Sequence, residues 1–90
     1  MIMEERMLGV TKVLLEDNYI VSVEFNDGEN GTINFKSLLE KDHRAIIREL
    51  LDLEKFKTVK IKFDTLSWEN GVDFAPEYLY EQMVIQKKVA

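Results

Sequence analysis

Residues 19–25 alternate between two sides almost without fault. Tyr19, Val21, Val23 and Phe25 fall on one side, Ser22 and Glu24 on the other, and Ile20 is the exception. Alternation at period two marks a strand with one buried face. Asn26-Asp27-Gly28 follows as a hairpin signal, and Thr32 to Phe35 returns with Ile33 and Phe35 apolar. Residues opposed across a hairpin share a face. Apart from Ile20, every apolar position on both strands is odd-numbered, so the loop must hold an odd number of residues. A two-residue Asp27-Gly28 turn would set Val23 against Thr32 and send the two apolar sets to opposite faces. The spacing therefore predicts a loop of three residues, or a longer odd number, with Gly28 supplying a positive φ.

The rest of the chain is organised around this hairpin. Val10 to Leu15 predicts a first strand, followed by a turn at Glu16-Asp17-Asn18. Ser37-Leu38-Leu39-Glu40 reads as a capping box, with Ser37 as cap and Glu40 reaching back. Ile46, Ile47, Leu50 and Leu51 form an apolar stripe at helical spacing. One helix from 38 to 51 would put Asp42 or His43 on that stripe, so two pieces are expected, with Asp42 capping the second. Thr58 to Phe63 predicts a fourth strand with Val59, Ile61 and Phe63 facing in and Lys60 and Lys62 facing out. A two-residue turn at Asp64-Thr65 then sets Leu66 and Trp68 opposite Phe63 and Ile61. Asn70-Gly71 is a second sharp turn, leading to a short Val72–Phe74 extension. Pro76 and Glu77 begin a last helix that turns Leu79, Tyr80, Met83 and Val84 to the core. The fold class is α+β: an antiparallel β-sheet in the order β-β-β-α-β-β-α, with helices packed on one face.

Composition narrows the function. Ninety residues make one domain, 1–90, with 1–7 as a loosely ordered N-terminal extension. So small a core leaves little room for a closed pocket. The absence of cysteine removes disulfides, thiolate metal sites and thiol nucleophiles together. The net charge of −5 opposes a nucleic-acid-binding body. The charge is uneven: residues 1–30 carry net −5, residues 31–60 net +2 and residues 61–90 net −2. No stretch approaches the roughly 18 apolar residues of a membrane span. The start lacks the apolar run of a signal peptide, so the expected location is the cytoplasm.

Few residues invite chemistry. His43 is the one histidine and follows a predicted cap, where a surface role suffices. No phosphate-loop, dinucleotide or nucleophile-elbow motif occurs, and no spacing matches a zinc or calcium site. No catalytic residue, metal ligand or cofactor is expected. Lys55, Lys57, Lys60 and Lys62, with Phe56 among them and Arg44 and Arg48 as further candidate members, are the most basic cluster. They could form a nucleic-acid face, although lysines on an outer strand face also discourage edge-to-edge pairing. The most individual stretch runs from Trp68 to Tyr80. In it Trp68, Asn70, Asp73, Tyr78 and Tyr80 are the candidate partner-binding residues, since aromatic side chains anchor interfaces. Turn chemistry and the helix start account for much of the same stretch.

Three stretches together resemble a small bacterial family known as domain of unknown function 2442. They are Val10-Thr11-Lys12-Val13, then Phe25-Asn26-Asp27-Gly28-Glu29 ahead of a strand and Leu38-Leu39, and finally Trp68-x-Asn70-Gly71-x-Asp73-x-x-Pro76-x-x-Leu79-Tyr80. The likeness covers about residues 8–82. The chain departs from the family where Glu69 stands for a frequent Pro, and where Lys41-Asp42-His43-Arg44 replaces a Gly-containing loop. The resemblance implies a small α+β domain with an antiparallel sheet and no catalytic residues to carry over. Some members resemble half of a toxin–antitoxin pair, and others carry an added helix-turn-helix for which the residues after Tyr80 leave no room.

The expected function is thus a non-enzymatic cytoplasmic protein-interaction module, an antitoxin-like partner in a toxin–antitoxin pair. The alternatives are a nucleic-acid-associated module using the Lys55–Lys62 face and, more remotely, a small carboxylate-based enzyme. The partner would be another protein or a second copy of the chain, with no membrane involved.

Overall fold

The central hairpin closes with the odd loop that its alternation demands. The computed structural model describes residues 7–89. In it β2 (Ile20–Phe25) and β3 (Asn30–Asn34) pair antiparallel, Val21 opposite Ile33 and Val23 opposite Gly31. Phe25 N donates to Glu29 O at 2.8 Å and Gly28 N to Phe25 O at 3.0 Å. Asn26-Asp27-Gly28 is therefore a three-residue loop, and Gly28 sits at φ 91°. β1 (Val10–Asp17) runs two residues longer than expected and pairs antiparallel with β2, giving the strand order β1-β2-β3. Its register shifts at Thr11 and again at Glu16, two bulges that bracket a regular stretch.

The helices bury their side chains in the core that Val21, Val23 and Ile33 face. α1 (Lys36–Lys41) supplies Leu39, α2 (Ala45–Arg48) supplies Ile47, and a 3-10 turn at Glu49–Leu51 supplies Leu50. α3 (Leu53–Phe56) supplies Phe56, and α4 (Pro76–Val89) supplies Leu79 and Met83. α4 lies so close to β3 that a Cβ on Gly31 would stand 2.8 Å from Met83 Cγ. Glycine at this position permits the approach. Farther along α4, the Gln86 amide holds both backbone groups of Asn34: Asn34 N donates to Oε1 (2.8 Å) and Nε2 donates to Asn34 O (3.2 Å). The outer edge of β3 is thereby occupied at Asn34.

The expected capping box is not formed. α1 starts two residues earlier, with Phe35 at the cap position and no side-chain cap there. Phe35 is tied to the sheet by its N–H to Tyr19 O, and its carbonyl already accepts from Leu39 N. The helix thus grows directly off the strand, and Asn34 Oδ1 takes the Lys36 N–H at 3.0 Å in place of Ser37. The break at Asp42 is present, with ψ 136° there. Asp42 does not cap α2, whose cap position is Arg44; its Oδ1 accepts from Arg44 N one step earlier. The one-turn helix α3 was not expected, yet it has the clearest cap of the region, Asp52 accepting from Glu54 N at 3.0 Å.

The second hairpin is separate from the first sheet. β4 (Lys60–Lys62) and β5 (Thr65–Ser67) pair with Ile61 opposite Leu66, and the turn is Phe63-Asp64, with φ 53° and 65°. Phe63, expected to face in, is 87% exposed. Sliding the register by one residue pair keeps every side chain on its face, so alternation cannot separate Phe63-Asp64 from Asp64-Thr65. Tertiary contact separates them: Thr65, which the other turn would place at the tip, is buried in the strand with its hydroxyl donating to Phe74 O. Asn70-Gly71 turns as expected, with Gly71 at φ 94°, and Ser67 bridges Asp73. The expectation for residues 1–7 falls almost wholly outside the described residues; Met7 O accepts from Asn26 Nδ2 at 2.7 Å.

Phenylalanine is a poor residue for a turn of this hand, where Asn and Gly are preferred. At 87% exposure it recovers little by burial. Phe63→Asn should therefore raise the unfolding free energy by about 0.5–1 kcal/mol, read as a shift of the urea midpoint at unchanged slope.

Candidate partner-binding cleft

The stretch from Trp68 to Tyr80 divides between core and surface. Trp68 is 1% exposed, and its indole N–H donates to Phe56 O at 2.9 Å. It serves as the centre of an aromatic core, with Phe35 and Phe56 each 5.7 Å away between ring centroids. Asn70 is a clamp: Oδ1 takes the Val72 N–H, and Nδ2 donates to Ile46 O (3.1 Å) and Glu49 Oε1 (3.2 Å). That ties the turn to the α2 region. Tyr80 points to the first hairpin, edge-on to Phe25, with its hydroxyl donating to Asp27 Oδ2 at 2.9 Å. The same hydrogen bond, and burial after it, raises the Tyr80 phenol above its ordinary value.

Asp73 and Tyr78 do meet, in an open cleft of about 300 Å³ that also includes Asp42, Arg44 and Phe74. Phe74 links it to the core. Its ring lies perpendicular to Trp68 at 5.7 Å and stacked on Tyr78 at 5.5 Å and 20°. The backbone holds Phe74 from behind, since Thr65 Oγ1 donates to its carbonyl. The five sequence candidates thus do not form one surface: two line the cleft, and Trp68, Asn70 and Tyr80 hold the fold together.

Opposite the aromatic pair stands a fixed charge pair. Arg44 Nε donates to Asp42 Oδ1 at 3.0 Å and Nη2 to Asp42 Oδ2 at 2.8 Å, a two-point contact. These hydrogen bonds, joined by the Arg44 backbone N–H, pull the Asp42 carboxyl from 3.8 down to about 2. They raise Arg44 in turn. Burial, with Asp42 and Glu81 adding to it, raises the Tyr78 phenol. At neutral pH the cleft therefore presents a guanidinium paired with the Asp42 carboxylate, and a neutral hydroxyl, beside the Phe74 ring. Asp42 and Arg44 were read from sequence only as a cap and a basic residue. Their proximity to Tyr78 depends on how α1 and α4 pack.

The lysine cluster is dispersed. Lys57 pairs with Glu54 at 3.0 Å and Lys55 with Glu49 at 3.8 Å, while Lys62 lies over the Phe63 ring. Among the described residues no group of three or more His, Asp or Glu could hold a metal ion, and no helix is long and apolar enough to cross a membrane.

A family model described as protein of unknown function (DUF2442) matches residues 10–84, from the first residue of β1 into α4. No curated protein and no solved structure matches the chain significantly.

In an NMR pH series the Asp42 carboxyl should titrate near 2, and Arg44→Ala should return it toward 3.8. The folded value lies below the unfolded one. Asp42 therefore supports the fold above about pH 4, and that support fades as pH falls toward about 2. The Arg44→Ala protein should lose the side-chain share of this acid dependence and keep the share owed to the backbone N–H of residue 44.

Proposed function

The chain belongs to the DUF2442 family, and on that premise we propose that it is a non-enzymatic protein-interaction module whose partner docks at the Tyr78 cleft. One observation carries this reading: a stacked aromatic pair, Phe74 and Tyr78, stands beside an arginine already locked in place by Asp42. Tyr and Arg are the side chains that most often dominate binding energy at interfaces. A locked arginine loses less entropy on binding than a free one. The rest of the reading is the antitoxin-like half of a toxin–antitoxin pair, working in the cytoplasm. The net charge of −5 supports a basic protein as the other half. The alternative, nucleic acid on the Lys55–Lys62 face, is less well supported, because Lys55 and Lys57 are already paired with carboxylates.

Tagged chain recovered from its native cell should carry a basic protein in stoichiometric amount. Arg44→Glu should weaken that complex by about tenfold or more while leaving the circular dichroism spectrum unchanged. Recovery of the chain with no partner, or of a partner indifferent to Arg44, would count against the cleft. Retention of RNA or DNA on a filter at low salt, lost on replacing Lys60 and Lys62, would favour the alternative.

A further inference from the structure

β1 is an edge strand with an unusual order of side chains. It pairs with β2 on one side, and among the described residues no strand pairs with its other side. Asp64 O takes the Val10 N–H at its beginning, and Val59 to Ile61 stand across a groove from Thr11 to Leu14, so the strand is unpaired on this side from Lys12 to Asp17. Val13 is half-buried against the core, and the rest of that part is exposed, with Leu14 at 61% and Leu15 at 38%. An open groove of about 760 Å³ lies against β1, lined also by residues of β2, β3 and β4.

The charges along this edge are antisymmetric about Leu14. Lys12 and Leu14 stand opposite Glu24 and Ser22 and so share the outer face. Glu16 reaches the same face, because the Ser22 hydroxyl donates to its carboxylate. The row therefore reads Lys12, Leu14, Glu16: cation, leucine, anion. Val13 and Leu15 flank it on the inner face. Two copies laid antiparallel about a two-fold axis at Leu14 would set Lys12 against Glu16 of the other chain twice. They would also set Leu14 against Leu14, and Val13 against Leu15. Opposite charges and apolar pairs directly across a ladder are stabilising, and like charges are not.

We propose that the chain forms a two-fold dimer by pairing β1 with β1 of a second copy, in the register centred on Leu14. The bulges at Thr11 and Glu16 stop the ladder at both ends. The interface is isologous, with the same edge used on both copies, so the pairing closes as a dimer and does not grow into a fibre. The interface is small, which makes the dimer a weak, concentration-dependent one. None of its residues lines the Tyr78 cleft, so the two surfaces stand or fall separately.

Sedimentation of the purified chain, followed up to about 500 μM, tests the proposal through charge reversal. Lys12→Glu and Glu16→Lys should each raise the dimer Kd by about tenfold or more, because each places like charges opposite each other twice. Mixed one to one, the two variants should form a heterodimer as tight as wild type, since every pair is then opposite in sign. The double variant should dimerise again. Leu14→Arg should abolish dimers. Lys12 also faces Glu24 within the chain at 3.9 Å, so each variant's fold is checked by its amide NMR spectrum, and Glu16→Lys carries the test if Lys12→Glu is perturbed. A wild-type monomer throughout, a dimer indifferent to these changes, or no recovery on mixing would overturn the register. So would β1 amides that become protected only when a different protein is added.

Discussion

The rings around Trp68 join every part of this molecule. Phe35 comes from the end of the sheet, Phe56 from the middle helices, Trp68 from the second hairpin and Phe74 from the approach to α4; neighbouring rings lie 5.7–5.9 Å apart between centroids. The one polar atom in the middle, the indole nitrogen, is satisfied by the Phe56 carbonyl. Burying an indole N–H without a partner would be costly, so the bond fixes where α3 must end relative to β5. Aromatic rings meeting edge to face also resist sliding, which sets the packing more tightly than aliphatic contacts would.

From that cluster the functional surfaces follow as consequences of reach. Phe74 passes the packing outward to Tyr78, and Tyr78 forms one wall of the cleft whose other wall is the Asp42–Arg44 pair. The sheet is asymmetric in the same sense. Its β3 edge lies under α4, made possible by Gly31 and secured by Gln86. Its β1 edge extends past the reach of the core, which leaves Leu14 and Leu15 in solvent.

Much of the fold was legible in the residues. The alternation of Tyr19 to Phe25, the odd loop with Gly28, the interruption at Asp42, the Asn70-Gly71 turn and the Pro76 helix start all appear where local pattern placed them. The misses share a cause. Ser37 has the chemistry of a cap, yet Asn34 takes the helix-start bond because Phe35 is already held by the sheet. Phe63 alternates as a core residue, yet it occupies the turn because a two-residue slip leaves alternation unchanged. Trp68 has the composition of an interface anchor, yet hydrophobic burial and one hydrogen bond take it inside.

By itself the sequence determined which residues share a face and where the chain must turn. Those are properties of period, chirality and backbone freedom, and they act over a few neighbours. It also determined the family, since the order and spacing of short motifs survive without any contact being known. Only the tertiary structure decided which aromatics stay at the surface, which register the second hairpin takes, and that Arg44 stands against Tyr78. Each of those rests on contacts outside the local pattern, where a bond such as Thr65 Oγ1 to Phe74 O selects among arrangements that alternation leaves equal.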